Sequence, residues 1–76
     1  MSGRGELAHF GYNLRLLRLR GGLTQEQLAA AAGTSTGRIC RVERGHGLPR
    51  LPVALRLARA LRCPLESLVG PRLPPC

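Results

Sequence analysis

The stretch Thr24–Gly45, TQEQLAAAAGTSTGRICRVERG, limits the fold of this chain more than any other. Thr24 is a good helix N-cap, and Gln27 three residues on completes a capping box. A helix from Gln25 to about Ala32 follows. Leu28 faces inward there, and Ala29 and Ala32 are small enough for a neighbouring helix to approach closely. Gly33 supplies a turn. Ser35, or alternatively Thr34, caps the next helix, Thr36–Arg44. At about 100° per residue, Ile39 and Val42 fall on its inner edge. Gly37, Arg41 and Arg44 centre the opposite face, flanked by Thr36, Arg38 and Cys40, and Gly45 ends the helix. A pair of short helices with a glycine turn between them, the second rich in arginine, admits few architectures.

The flanking sequence supplies more helices and no strands. Residues 1–5 (MSGRG) have no apolar face and are expected as a disordered tail. From Glu6 to Arg20 the pattern is helical: Leu7, Phe10, Leu14 and Leu17 share one stripe, with Arg18 at its edge. Tyr12, Leu16 and Leu19 form a narrower stripe opposite, either scattered exposed residues or a partner surface. Gly21-Gly22 stops this helix, and Leu23 is a core plug before the second. GHGLPR (45–50) reads as a loop. A fourth helix runs from Leu51 to Arg62, with Pro52 tolerated in its first turn. Ala54, Leu55, Ala58 and Leu61 form its core side, Leu57 lies near the edge, and Arg56, Arg59 and Arg62 form a solvated face. A short fifth helix covers Pro64–Val69 with Leu65 and Leu68 inward, and residues 70–76 (GPRLPPC) are a flexible proline-rich tail. Residues 6–69 therefore form one all-α, five-helix domain.

Composition narrows the partner. The chain of 76 residues carries a formal net charge of +8, and all twelve basic residues are arginine. Such an excess points to an anionic partner, nucleic acid before membrane. The alternative source is a coding bias that raises Arg, Ala, Gly, Pro and Leu together, but bias does not decide where the arginines fall. Cys40, Cys63 and Cys76 are odd in number and show no metal-ligand spacing, which argues against a disulfide framework and a zinc site and fits a reducing cytoplasm. No signal peptide is read, and no apolar run reaches the roughly 20 residues that span a bilayer. His9 and His46 have no evident triad partners, and no glycine-rich phosphate loop is present, so no enzyme and no cofactor are expected.

A helix-turn-helix needs a first helix that braces on the DNA backbone and a second that enters the major groove. The demands are a small residue at the crossing (Ala29), a permissive turn (Gly33), and a thin apolar inner edge opposite a polar face (Ile39 and Val42 against Arg38, Arg41 and Arg44). From Phe10 to Val69 the chain resembles the Cro/phage-repressor-type, or XRE, family of helix-turn-helix domains. The resemblance rests on an ordered set: Leu14, Leu17 and Arg18; Leu23 to Ala29; Ala32-Gly33-Thr34-Ser35; Ile39; Val42-Glu43-Arg44-Gly45; Pro49; and Leu55 through Leu61 with Leu65 and Leu68.

The resemblance implies a lambda-repressor-like fold and a role for each matched residue. Gln25, at a helix N-terminus, would bond a phosphate. Thr36, Gly37, Arg38 and Arg41, with Ser35 at the cap, occupy positions used for base and nearby backbone contacts. Arg41 is the expected direct reader, since a guanidinium can bond guanine O6 and N7 together. Arg44 and Arg50 match positions near phosphates, with His46 a weaker candidate in the same loop. Arg18 and Glu43 match an internal salt bridge between the first and third helices. Gly37 departs from the pattern, because a long polar side chain is common there. The implied function is a sequence-specific regulator, expected as a repressor, bound as a homodimer to a palindromic double-stranded operator. The alternative is a protein-interaction or antitoxin-like module on the same scaffold.

Overall fold

The computed structural model describes residues 9–75. Five helices account for their regular structure: α1 (Phe10–Arg20), α2 (Gln25–Ala32), α3 (Thr36–Glu43), α4 (Leu51–Ala60) and α5 (Glu66–Val69). The expected tail at residues 1–5, and the apolar position Leu7, lie outside the described residues. Among the described residues the architecture is the expected all-α, five-helix one.

Phe10 and Leu14 of α1, Leu28, Ala29 and Ala32 of α2, Ile39 and Val42 of α3, Ala54, Leu57 and Ala58 of α4 and Leu68 of α5 make one core. Leu17, Leu23, Leu61 and Leu65 pack against it from the rim. No described helix is long and apolar enough to cross a membrane.

The first four helices close in the same way. Leu23 N donates to Arg18 O, Thr34 N to Ala29 O, His46 N to Arg41 O and Cys63 N to Ala58 O, at 2.9–3.1 Å. This closure requires a left-handed residue just before the donor. Gly22, Gly33 and Gly45 fill the first three positions, and Arg62, at φ 56°, fills the fourth. The left-handed turn at Arg62 ends α4 at Ala60, two residues before the expected end. α5 begins at Glu66 rather than Pro64, because its first hydrogen bonds arise from Pro64 O and Leu65 O.

Packing corrects one sequence expectation, in α4, and adds contacts that two others did not include. Leu55 is not core: it is 44% exposed, and Leu57, expected near the edge, is fully buried. The inner stripe of α4 is Ala54, Leu57, Ala58 and Leu61, and Leu55 lies roughly 110° round the helix from its centre. Arg56 is exposed, as expected of its face, but it is tethered: its Nε donates to Ala32 O at 2.8 Å. Residues 70–75, expected as a flexible tail, lie along α1. Buried Asn13 holds them, donating from Nδ2 to Leu68 O and Pro71 O at 3.3 and 3.2 Å and accepting from Leu73 N at 2.9 Å. Arg72 stacks over the Tyr12 ring, 4.4 Å from its centroid, and Arg20 Nη2 donates to Pro74 O. A fully buried amide needs partners for both its ends, and the tail backbone provides them.

Of the described glycines, Gly11 permits the tightest approach. A Cβ there would run into the Val42 carbonyl and lie 3.2 Å from Glu43 O, so α1 crosses the end of α3 backbone to backbone. Gly11→Ala is expected to push these helices apart and to destabilise the domain by about 1–3 kcal/mol. Urea unfolding checks this: the midpoint should fall with the slope unchanged.

Candidate nucleic-acid interface

The interface is built on α2 and α3. Thr24 Oγ1 accepts from Gln27 N at 3.0 Å and Gln27 Oε1 accepts from Thr24 N at 2.9 Å, which closes the expected capping box. At the other end of α2, Gly33 adopts φ 67°, ψ 37°, a conformation that favours glycine. Ser35 rather than Thr34 caps α3: its Oγ accepts from Arg38 N at 3.2 Å. The cap fixes where α3 starts and hence which side chains face outward.

Ile39 and Val42 hold α3 down, at 1% and 6% exposure. Thr36, Gly37, Arg38 and Arg41 are exposed, as are Arg44 at the C-cap and Arg50 at the N-cap of α4. A groove of about 380 Å³ runs between α3 and residues 47–50. Arg38, Arg41 and Arg50 line it above Ile39, Val42 and Leu57. The structure therefore brings three of the expected site arginines round one groove. Arg44 lies beyond it at the end of α3, and His46 is exposed in the following loop without lining it. A Cβ at Gly37 would meet nothing within 4 Å, so the outer face has an open gap there.

Behind this face lies the expected ion pair. Arg18 Nε donates to Glu43 Oε2 at 2.6 Å and Nη2 donates to Oε1 at 3.1 Å, a two-pronged arrangement. The side chains are 10% and 4% exposed. Arg18 Nη1 also donates to Leu23 O at 2.9 Å, which ties the α1–α2 turn to the pair. Gln25 Nε2 donates to Glu43 Oε1 at 3.0 Å. Beyond the phosphate contact expected of Gln25, its amide NH₂ is engaged by the carboxylate that anchors α3. Glu43 thus gathers α1, the α1–α2 turn and α2 at the end of α3.

Sequence reasoning missed Gly11, Asn13 and Arg56 as contributors to this geometry. A glycine beside the apolar stripe of a helix was the available signal for Gly11. Nothing local marks Arg56, whose partner lies 24 residues earlier. Among the described residues no three His, Cys, Asp or Glu side chains gather as they would round a metal ion. Cys63, at the end of α4, is half-buried, and burial pushes its thiol pKa up.

Two helices with a left-handed glycine between them, the second bolted inward and arginine-faced outward, define a helix-turn-helix domain. The Helix-turn-helix family model matches residues 14–68, and the chain belongs to this family of Cro/phage-repressor-type DNA-binding domains. It is 43% identical over 61 residues to the HTH-type transcriptional repressor RghR of Bacillus subtilis, a match covering 79% of this chain and 45% of that protein. It is 38% identical over 65 residues to the uncharacterized HTH-type transcriptional regulator RghRB of the same organism, covering 84% and 47%. The chain thus spans about half the length of these curated relatives. Among solved structures it is similar to the restriction-modification controller protein C.AhdI of Aeromonas hydrophila. That likeness has a TM-score of 0.77 and 39% identity, covering 84% of this chain and 97% of that one. A hypothetical transcription factor from Neisseria gives a TM-score of 0.80 at 30% identity, covering 93% and 82%.

Two substitutions test how the site is held. Arg18→Ala leaves the Glu43 carboxylate buried without its cation and is expected to cost about 3–5 kcal/mol. The double change Arg18→Met/Glu43→Leu should cost less than Arg18→Ala alone; denaturant titration of the variants measures both. Gly37→Ala meets no obstacle and should stabilise the domain by about 0.5 kcal/mol through the unfolded chain, seen as a rise in melting temperature.

Proposed function

We propose that the chain is a sequence-specific double-stranded DNA-binding transcription regulator, acting as a repressor in the cytoplasm, which reads the major groove with α3. The observation that carries this is the polarity of α3. Its inner edge is fixed by Ile39, Val42 and the Arg18–Glu43 pair, so its outer face presents Arg38, Arg41 and Arg44 with little freedom to turn. B-DNA's major groove is about 12 Å wide and admits one helix with its side chains.

Roles follow from position. Arg41, in the middle of the outer face, bonds a guanine edge. Arg38, Thr36 and Ser35 contact neighbouring bases and backbone. Arg44 and Arg50, at the two ends of the segment between α3 and α4, neutralise phosphates. Gln25 contacts a phosphate at the start of α2 through the second N–H of its amide, the first remaining tied to Glu43. The gap at Gly37 shifts base discrimination onto Arg38 and Arg41. A homodimer on a palindrome, with half-sites about 34 Å apart, is the arrangement that lets two such helices enter successive turns of one groove face. C.AhdI, by its name a restriction-modification controller, and RghR, a repressor, support the regulatory reading.

Binding to a duplex selected from random sequence, measured at several salt concentrations, tests the proposal. The logarithm of affinity should fall linearly with the logarithm of salt, by about 0.9 for each phosphate neutralised. Arg41→Ala should lose about 1–3 kcal/mol on the selected site and little on unrelated DNA, whereas Gln25→Ala should weaken all sites alike. Absence of duplex binding at low salt, with capture of a protein instead, would replace this reading by an interaction module on the same scaffold.

A further inference from the structure

Arg56 stands apart from the other arginines. It rises from the second turn of α4, yet its guanidinium is fixed to the turn of the helix-turn-helix. Nε donates to Ala32 O at 2.8 Å. This carbonyl ends α2, and the closure of α2 through Gly33 N and Thr34 N uses Ala29 O and Ala30 O instead. A Cβ on Gly33 would lie 3.5 Å from Arg56 Nε and 3.9 Å from Cζ and Nη2, so the guanidinium lies against the turn itself. Arg56 is nevertheless exposed, and its Nη atoms have no hydrogen-bond partner among the described residues. One edge of the fork is anchored and the other is open. Ser35, the cap of α3, is two residues beyond Gly33.

We infer that Arg56 is a second phosphate clamp, set outside the helix pair that reads the groove. The inference rests on the DNA-binding reading above and extends it. A recognition helix enters the groove by its N-terminal residues, so the turn before α3 passes close to the strand that borders the groove. A phosphate there meets an exposed, fully charged guanidinium that is already oriented. An arginine held by one N–H loses less freedom on binding an anion than one that waves in solvent. The bond to Ala32 O thus has two effects: it satisfies the end of α2 and aims the open Nη edge. The clamp reads no base. It adds affinity equally on every sequence and fixes the angle at which α3 lies in the groove.

Two variants of the full chain separate this from a purely structural role. Arg56→Lys keeps the charge but lacks the planar fork, and should lower the melting temperature while the salt slope of duplex binding stays at the wild-type value. Arg56→Gln removes the charge. It should weaken selected and unrelated duplexes by the same factor, and make the salt slope shallower by about 0.9 for each bound copy. An Arg56→Gln slope equal to wild type would show a cap for α2 and nothing more. If Arg56→Gln does not fold, the wild-type protein decides: the Arg56 guanidinium N–H resonances should shift on titration with duplex, and unmoved resonances overturn the clamp. Failure of the wild-type chain to bind duplex at all would instead remove the DNA reading, and the clamp with it.

Discussion

The carboxylate of Glu43 is the point on which the orientation of the recognition helix depends. It accepts from Arg18 Nε and Nη2 and from Gln25 Nε2, and Arg18 reaches on to Leu23 O. These are charge-assisted bonds at a nearly sealed site, where losing one partner costs far more than the net worth of the pair. Apolar packing by Ile39 and Val42 attaches α3 to the core, but the hydrophobic effect has no preferred direction. The fork between Arg18 and Glu43 is directional. It fixes the helix about its own axis, so that Arg38, Arg41 and Arg44 form a face rather than a cloud of charge.

Close approach makes this pair possible. α1 meets the end of α3 at Gly11, where backbone touches backbone, and Arg18 reaches Glu43 from the same side of α1 two turns further on. The contact and the ion pair therefore fix the crossing at two points. A single contact would leave a pivot; two points define an angle. The opposite flank is fixed by Arg56, which joins α4 to the end of α2. α3 is thus framed by α1 on one side and by α2 on the other, with α2 itself braced by α4.

Much of this was legible in the residues. The helix pair, its caps at Thr24 and Ser35, the inward pair Ile39 and Val42, and the Arg18–Glu43 bridge follow from local chemistry, from periodicity and from family resemblance. The rest depended on neighbours distant in sequence. Leu55 and Leu57 are equally apolar, and only the surface that α4 meets decides between them. Arg56 has no local mark of its partner at Ala32. Residues 70–75 looked featureless because their anchors are backbone groups, which every sequence possesses. Asn13 carries the information instead, from the middle of α1.

Asn13 also bears on how the chain reaches this structure. Its side chain is fully buried and its partners are 55–60 residues further on. No segment nearer in sequence offers bonds to both ends of this amide in the described structure. Until residues 68–73 are docked on α1, the amide lacks the backbone partners it has in the folded domain. Recognition and completion are thereby joined: α1, which sets the helix that faces DNA, acquires its final packing from a segment 55–60 residues further along the chain.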